Sequence, residues 1–159
     1  MLAVYAPPKG INRINFFQDL RQVIIDDKDD AENILGGDWN CTDNSNLDRL
    51  NCVGTNDLGR IDLRYIKEAH DLEDIWRRRN PDVKEYTWTG QGKYSRIDYF
   101  LTSVSLDSQV DHIEHTFVPF TDHMAVDMYL KLDPVQRGPG TWKMNTQHLL
   151  QEDFREGIT

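Results

Sequence analysis

Three short segments of the chain set acids, an amide and an imidazole at the edges of apolar runs: Gly37-Asp38-Trp39-Asn40, Ser95-Arg96-Ile97-Asp98 and Thr121-Asp122-His123. Tyr5 ends the first apolar stretch in the same way. Side chains at strand ends can converge although they are far apart in sequence, and rigid strands then hold them in register. Such a cluster has a definite chemistry. Asp98 can accept a hydrogen bond from one ring nitrogen of His123, fixing its tautomer and raising its basicity. An imidazolium held that way stabilises a phosphate oxygen as negative charge builds on it. Asp38 can orient or deprotonate a water. Asn40 can donate to a phosphoryl oxygen or fix the Asp38 carboxylate, and Asp122 can bind a hard cation directly or through water. Oxygen donors of this kind suit Mg²⁺ or Mn²⁺ better than zinc.

Taken singly, each segment also has an ordinary reading. An acid after Gly-Gly is commonly a turn residue. Asp98 can satisfy Arg96 or a backbone amide, and His123 can be a hydrogen-bonded loop histidine. His70, His112, His115 and His148 have no comparable neighbours and read as structural; His112 and His115 fall on opposite faces of a strand.

The elements that must position these residues are partly legible. Leu2 to Tyr5 reads as a strand stopped by Pro7-Pro8. Asn12 reads as a helix cap, with Phe16, Phe17, Leu20, Val23 and Ile24 on the buried face that follows. The acidic run Asp26 to Asp30 reads as a solvated loop. Asn33 to Leu35 reads as a short strand ended by Gly36-Gly37, and Asp43 to Asn56 as a long polar loop. Leu58, Ile61, Tyr65 and Ala69 mark one face of a second helix. Tyr86 to Thr89 and Arg96 to Leu101 read as strands of a hairpin turning at Gly90 and Gly92. His112 to Val118 is a further strand, and the alternation from Met124 to Leu132 is the clearest strand pattern in the chain. Residues 1–133 thus form one mixed α/β layered domain of about six strands and two main helices. Residues 134–159, opening on Gly-Pro-Gly, read as a linker or tail.

Composition narrows the classes. With 27 acidic against 18 basic residues and a net charge of -9, the chain does not suit a protein that coats nucleic acid nonspecifically. It does suit a domain whose clustered carboxylates hold a cation. Two cysteines, Cys41 and Cys52, make neither a disulfide framework nor a zinc site and favour a reducing compartment, nuclear or cytoplasmic. No apolar run approaches the roughly 20 residues that span a bilayer, so no membrane partner is expected.

The ordered set Val4 to Pro7 (VYAP), Ile34 to Asn40 (ILGGDWN), Tyr86 to Trp88 (YTW), Ser95 to Leu101 (SRIDYFL) and Thr121 to His123 (TDH) resembles the endonuclease/exonuclease/phosphatase superfamily. More narrowly it resembles the apurinic-type endonuclease domain of non-LTR retrotransposons. The likeness runs from about Leu2 to Leu132, and the tail RGPGTWKMNTQHLL resembles the junction before a reverse transcriptase. It implies a DNase I-like β-sandwich with outer helices and Mg²⁺- or Mn²⁺-dependent nicking of DNA that leaves a 3′-hydroxyl to prime reverse transcription. Tyr5, Asp38, Asn40, Asp98 and His123 would be catalytic. Asp122 and Asp38 would serve at the metal, and Asn40, Arg96 and His123 would contact substrate. Trp39 and Trp88 would pack. The resemblance further implies that the chain corresponds to the C-terminal half of such a domain, without the family's glutamate ligand, so that by itself it binds Mg²⁺ poorly and nicks slowly or not at all. Its natural partners would be the N-terminal half and a downstream reverse transcriptase. An RNA exonuclease, a lipid or inositol phosphatase of the same superfamily, and an inactive mobile-element remnant are the competing expectations.

Overall fold

The structure is a computed structural model that describes residues 1–26, 32–52 and 57–131. Most of the acidic run Asp26 to Asp30, part of the loop before Asp57, and the tail with His148 lie outside the described residues.

Three sheets organise the chain. In the largest, β1 (Leu2–Tyr5), β2 (Ile34–Asp38), β7 (Asp98–Ser103) and β4 (Leu72–Glu73) lie in the order β1-β2-β7-β4. β1 runs parallel to β2, and β7 runs antiparallel to both β2 and β4. The second sheet has the order β3-β6-β5, from β3 (Arg49–Leu50), β6 (Lys93–Ser95) and β5 (Trp88–Gly90). The third is the long pair β8 (Val110–Phe117) and β9 (Met124–Leu130). A Trp88–His123 bridge ties the second sheet to the start of the third. The mixed α/β layering matches the expectation, and no described helix is long and apolar enough to cross a membrane.

The parallel β1–β2 pair needs a crossover, which α1 (Gly10–Asp26) supplies. Its buried residues Arg13, Phe17, Leu20 and Ile24 recur every three or four positions. Val23, expected on this face, lies about a third of a turn off that stripe and is exposed. The helix also begins before Asn12: it opens at Gly10, and Arg13 N–H already bonds to Lys9 C=O at 3.1 Å. α3 (Arg60–Ala69) buries Leu63 and Ile66, whereas the expected Leu58, Ile61 and Tyr65 are exposed. The helix carries two apolar stripes. The one that meets Phe17, Leu35 and Leu101 is the core stripe; on the other, Tyr65 receives the Arg21 guanidinium 6.0 Å from its ring centre.

Two further expectations change. β2 does not end at the glycines but runs through them to Asp38. Gly37 has φ +147°, and a Cβ there would collide with the Val4 carbonyl, so glycine is what lets β1 approach β2. The Gly90/Gly92 hairpin exists, but its second strand is Lys93–Ser95. The chain then passes through Arg96 and Ile97 into the large sheet, because the backbone of β7 pairs with β2 along Asp98–Thr102. The polar loop after Asp43 contains the short helix α2 (Ser45–Asp48), capped by Asn44, whose side chain accepts Asn46 N–H at 3.1 Å.

Candidate active site

Sheet register builds the centre of the site. Tyr5 on β1 pairs with Asp38 on β2, and Asp38 pairs with Asp98 on β7. The three residues occupy one rung across three strands, and side chains on one rung share a face. Asp38 ends β2 and Asp98 begins β7. Because these strands are antiparallel, both acids come to the same edge of the sheet.

Past that edge the chain turns. Asn40 takes φ +48°, a left-handed conformation that asparagine tolerates. The turn brings Asn40 N–H to Asp38 Oδ1 at 2.8 Å and Asn40 Nδ2 to Asp38 Oδ2 at 2.9 Å, while Nδ2 also donates to Ala6 C=O at 2.8 Å. Asn40 therefore fixes the Asp38 carboxylate. Trp39 points the opposite way and is fully buried. Its indole stacks on Tyr99 at 5.5 Å and donates to Tyr99 C=O at 2.9 Å, which anchors β2 to β7 directly behind the acids.

His123 arrives from the β8–β9 connection. Its Nδ1 lies 2.9 Å from Asp98 Oδ2 and 3.1 Å from Oδ1. A carboxylate accepts only, so Nδ1 carries the proton and Nε2 is left to face a ligand. Thr87 locks the acid from behind. Its hydroxyl donates to Asp98 Oδ2 at 2.7 Å and accepts the N–H groups of Ile97 and Asp98 at 3.1 and 3.0 Å. Thr87 C=O also accepts Met124 N–H at 2.7 Å, which holds the histidine's strand in place.

Asp38, Asp98 and His123 each present one ligand atom, all within 4.8 Å of one another. Burial pushes the Asp38 carboxyl above its ordinary value, and the neighbouring Asp98 charge adds to this; the Asn40 hydrogen bonds and His123 pull the other way. Two acids crowded in this manner favour a proton or a cation between them. The donor set, two carboxylates and one imidazole, fits a divalent cation with oxygen preference. The cluster opens into a cavity of about 640 Å³ that Tyr5, Arg13, Arg49, Trp88 and Ile97 also line.

Two expected site residues stand elsewhere. Arg96 does not reach the cavity. It is 1% exposed, with Nε on Asp48 at 2.8 Å and Nη2 on Asp74 at 2.7 Å, and it packs between the rings of Trp76 and Tyr99. Ile97 lines the cavity, so its neighbour Arg96 turns the other way, to the buried acids of α2 and α4 (Ile75–Arg79), which Asp74 caps. Burial alone would weaken its hold on the proton, but Asp74 and Asp48 raise it, and the charge is retained. Asp122 is exposed and outside the three-residue cluster. It accepts Trp88 Nε1 at 2.8 Å, and that bond holds its carboxyl below the usual value. Trp88, expected only to pack, thus positions the segment that carries His123.

Sequence reasoning missed Thr87 and Arg49. The alternation Tyr86-Thr87-Trp88 was the available signal for Thr87, since a polar residue between two aromatic ones faces the other way. Arg49 comes from a polar loop without periodicity. It donates Nη1 to Ser95 Oγ at 2.8 Å and pairs with Asp57, whose carboxylate also accepts from Thr42 and Arg60. Arg49 and Arg13 bring guanidinium groups, the type that suits a phosphate, to this cavity wall.

No family model matches the sequence. It is 30% identical over 162 residues to the Transposon TX1 uncharacterized 149 kDa protein of Xenopus laevis, an alignment that takes in 99% of this chain and 12% of that protein. Among solved structures, the 3′-5′ exonuclease NExo of Neisseria meningitidis superposes with a TM-score of 0.70 at 18% identity. An AP endonuclease of Archaeoglobus fulgidus gives 0.70 at 16%. Each covers 82% of this chain and 61% of the neighbour. The catalytic domain of Xenopus laevis APE2 gives 0.64 at 22%, covering 82% of this chain and 49% of that one. The chain therefore spans about half to three-fifths of the solved domains it superposes on. It has the mixed α/β fold of the AP endonuclease and exonuclease/phosphatase domains, and it is related along nearly its whole length to a segment of a transposon protein.

Proposed function

We propose that this chain supplies the phosphodiester-cleaving cluster of a DNA-nicking endonuclease encoded by a retrotransposon. The observation that carries the reading is the Tyr5–Asp38–Asp98 rung closed by His123 over a cavity. Asp38, held by Asn40, orients a water and takes its proton on a carboxylate oxygen. The water oxygen bonds to phosphorus as the bond to the 3′ oxygen breaks; the departing oxygen takes a proton from solvent and Asp38 returns its proton to solvent, which leaves a 3′-hydroxyl and a 5′-phosphate. His123, oriented by its Nδ1–H bond to Asp98, donates from Nε2 in its doubly protonated form to a phosphoryl oxygen as charge builds there. Tyr5, exposed at the cavity mouth, offers its hydroxyl to the same phosphate. Mg²⁺ or Mn²⁺ fits the carboxylates of Asp38 and Asp98, and when bound it would neutralise charge on the phosphate and the leaving oxygen.

The relation to a transposon protein supports the mobile-element setting, in which the 3′-hydroxyl primes reverse transcription by another part of a longer polypeptide. One structural neighbour is a 3′-5′ exonuclease, so the experiment offers both supercoiled plasmid and linear duplex labelled at its 3′ end, with Mg²⁺, Mn²⁺ or EDTA. Metal-dependent conversion of supercoiled to open circular DNA supports the reading. Shortening of the linear duplex without nicking of the plasmid replaces it with an exonuclease.

A further inference from the structure

The turn between β8 and β9 holds an aromatic side chain that contributes nothing to the packing of the described residues. Phe120 is fully exposed, and its backbone has φ +72°. The other described non-glycine residues with positive φ are Asn40, Asn51, Asp71 and Gln91, all polar and unbranched at Cβ. A bulky aromatic residue in the left-handed region is disfavoured, and such strain persists where the surrounding structure dictates it. Here it does. Asp122 C=O accepts Thr89 N–H at 3.0 Å, Asp122 Oδ2 accepts Trp88 Nε1 at 2.8 Å, and Thr121 Oγ1 accepts His123 N–H at 3.1 Å. The turn is pinned immediately after Phe120, and the ring stays in water three residues from His123.

We propose that Phe120 is a substrate-positioning residue that stacks on a nucleobase of the DNA strand bound at the Asp38–Asp98–His123 cluster. The inference rests on the nuclease reading above. A chain of net charge -9 cannot hold DNA by a general field of attraction. Stacking is a source of affinity that does not depend on charge and tolerates any base, since every base has a π face. On a turn pinned to β5 and three residues before the phosphate-binding histidine, an exposed ring is within chain reach of the base attached to that phosphate or its neighbour. Burying it there compensates for both its exposure and its strained backbone.

The test uses the whole 159-residue chain and a short fluorescein-labelled duplex with a single-stranded overhang whose bases are free to stack, with anisotropy read in EDTA so that no cleavage occurs. Phe120→Ala weakens binding by about 5- to 100-fold. It leaves the slope of log affinity against log salt unchanged, because no phosphate contact is lost. Phe120→Trp binds as the unaltered chain does. Phe120→Asn, a residue suited to the left-handed backbone, melts no lower than the unaltered chain yet binds as weakly as the alanine variant. The inference is overturned if Phe120→Ala binds within about twofold of the unaltered chain, if Phe120→Trp is as weak as alanine, or if Phe120→Ala instead dissolves a dimer on size-exclusion chromatography, which would mark a contact between copies. Failure of the unaltered chain to bind the duplex overturns the nuclease reading as well. Normal binding and nicking by Phe120→Ala overturns only the stacking.

Discussion

His123 Nδ1 lies 2.9 Å and 3.1 Å from the two carboxylate oxygens of Asp98. The pair joins the third sheet to the first, and it decides which nitrogen of the histidine can meet a phosphate. Asp98→Asn keeps the shape but offers an N–H where an acceptor is required, which turns the imidazole to the wrong tautomer. Nicking should fall by roughly two to four orders of magnitude, with the melting temperature lowered by only a few degrees. A variant that nicks at the original rate would leave the histidine without need of its acid.

Thr87 is the least obvious member of the site. Thr87→Val retains the shape, strands the N–H groups of Ile97 and Asp98 in the interior, and leaves Asp98 Oδ2 with His123 Nδ1 alone of its two donors. The expected cost is about 1–3 kcal/mol in chemical denaturation, together with reduced nicking. Thr87→Ser returns the hydroxyl and should recover most of both. If valine and serine behave alike, the hydroxyl is irrelevant.

Arg96 separates support from contact. Arg96→Met leaves the buried acids Asp48 and Asp74 short of a partner and should cost about 3–5 kcal/mol of stability. Because its guanidinium lies among Trp76, Tyr99 and these acids, the salt dependence of DNA binding should not change at temperatures where the variant is folded. A shallower slope, read by anisotropy over a salt series, would return Arg96 to the DNA.

Asp57 carries a pH signature. Burial alone would raise its carboxyl, but the hydrogen bonds from Arg49 and Thr42 outweigh this and hold it below its ordinary 3.8. A folded-state value below the unfolded one means the stabilisation is fully present above pH 3.8 and is lost as pH falls through the folded value. Asp57→Asn should therefore melt lower than the unaltered chain at neutral pH, by an amount equivalent to about 3 kcal/mol. The gap should begin to close as pH falls below the unfolded value of 3.8 and finish closing below the folded one. A gap that stays constant with pH would mean that packing, not charge, is responsible.

Gly37→Ala tests the approach of β1 to β2. The added Cβ meets the Val4 carbonyl, and the backbone sits at φ +147°. Destabilisation of about 2–5 kcal/mol is expected from overpacking and strain together, measured by denaturant unfolding.

What could be read from the sequence follows the physics of each signal. The period-2 run from Met124 and the apolar run at Ile34 are local patterns, and both became strands. Asp38, Asn40, Asp98 and His123 were marked by their place beside apolar runs, and the structure brings those four together because β1, β2 and β7 meet at one edge. Arg96 was misplaced because one residue of shift in an extended chain reverses the side chain, and only the buried acids on α2 and before α4 show which way it turns. The face of α3 was misjudged because two apolar stripes compete, and packing against α1 selects between them. Thr87, Arg49 and the Trp88–Asp122 bond belong to pairings over long sequence separations, where composition carries no sign of the partner.

The most direct test is the rate of supercoiled-plasmid nicking at millimolar Mg²⁺ or Mn²⁺, compared among matched preparations of the unaltered chain, His123→Ala and Asp38→Asn. Of the two carboxylates in the cluster Asp98 is already engaged by His123 and Thr87, so the unaltered chain should nick slowly and only at high metal concentration. The nicks should end in a 3′-hydroxyl that a polymerase extends, and both variants and EDTA should abolish them. Nicking that survives His123→Ala, or that EDTA leaves untouched, would place the chemistry outside the Asp38–Asp98–His123 cluster and contradict the account.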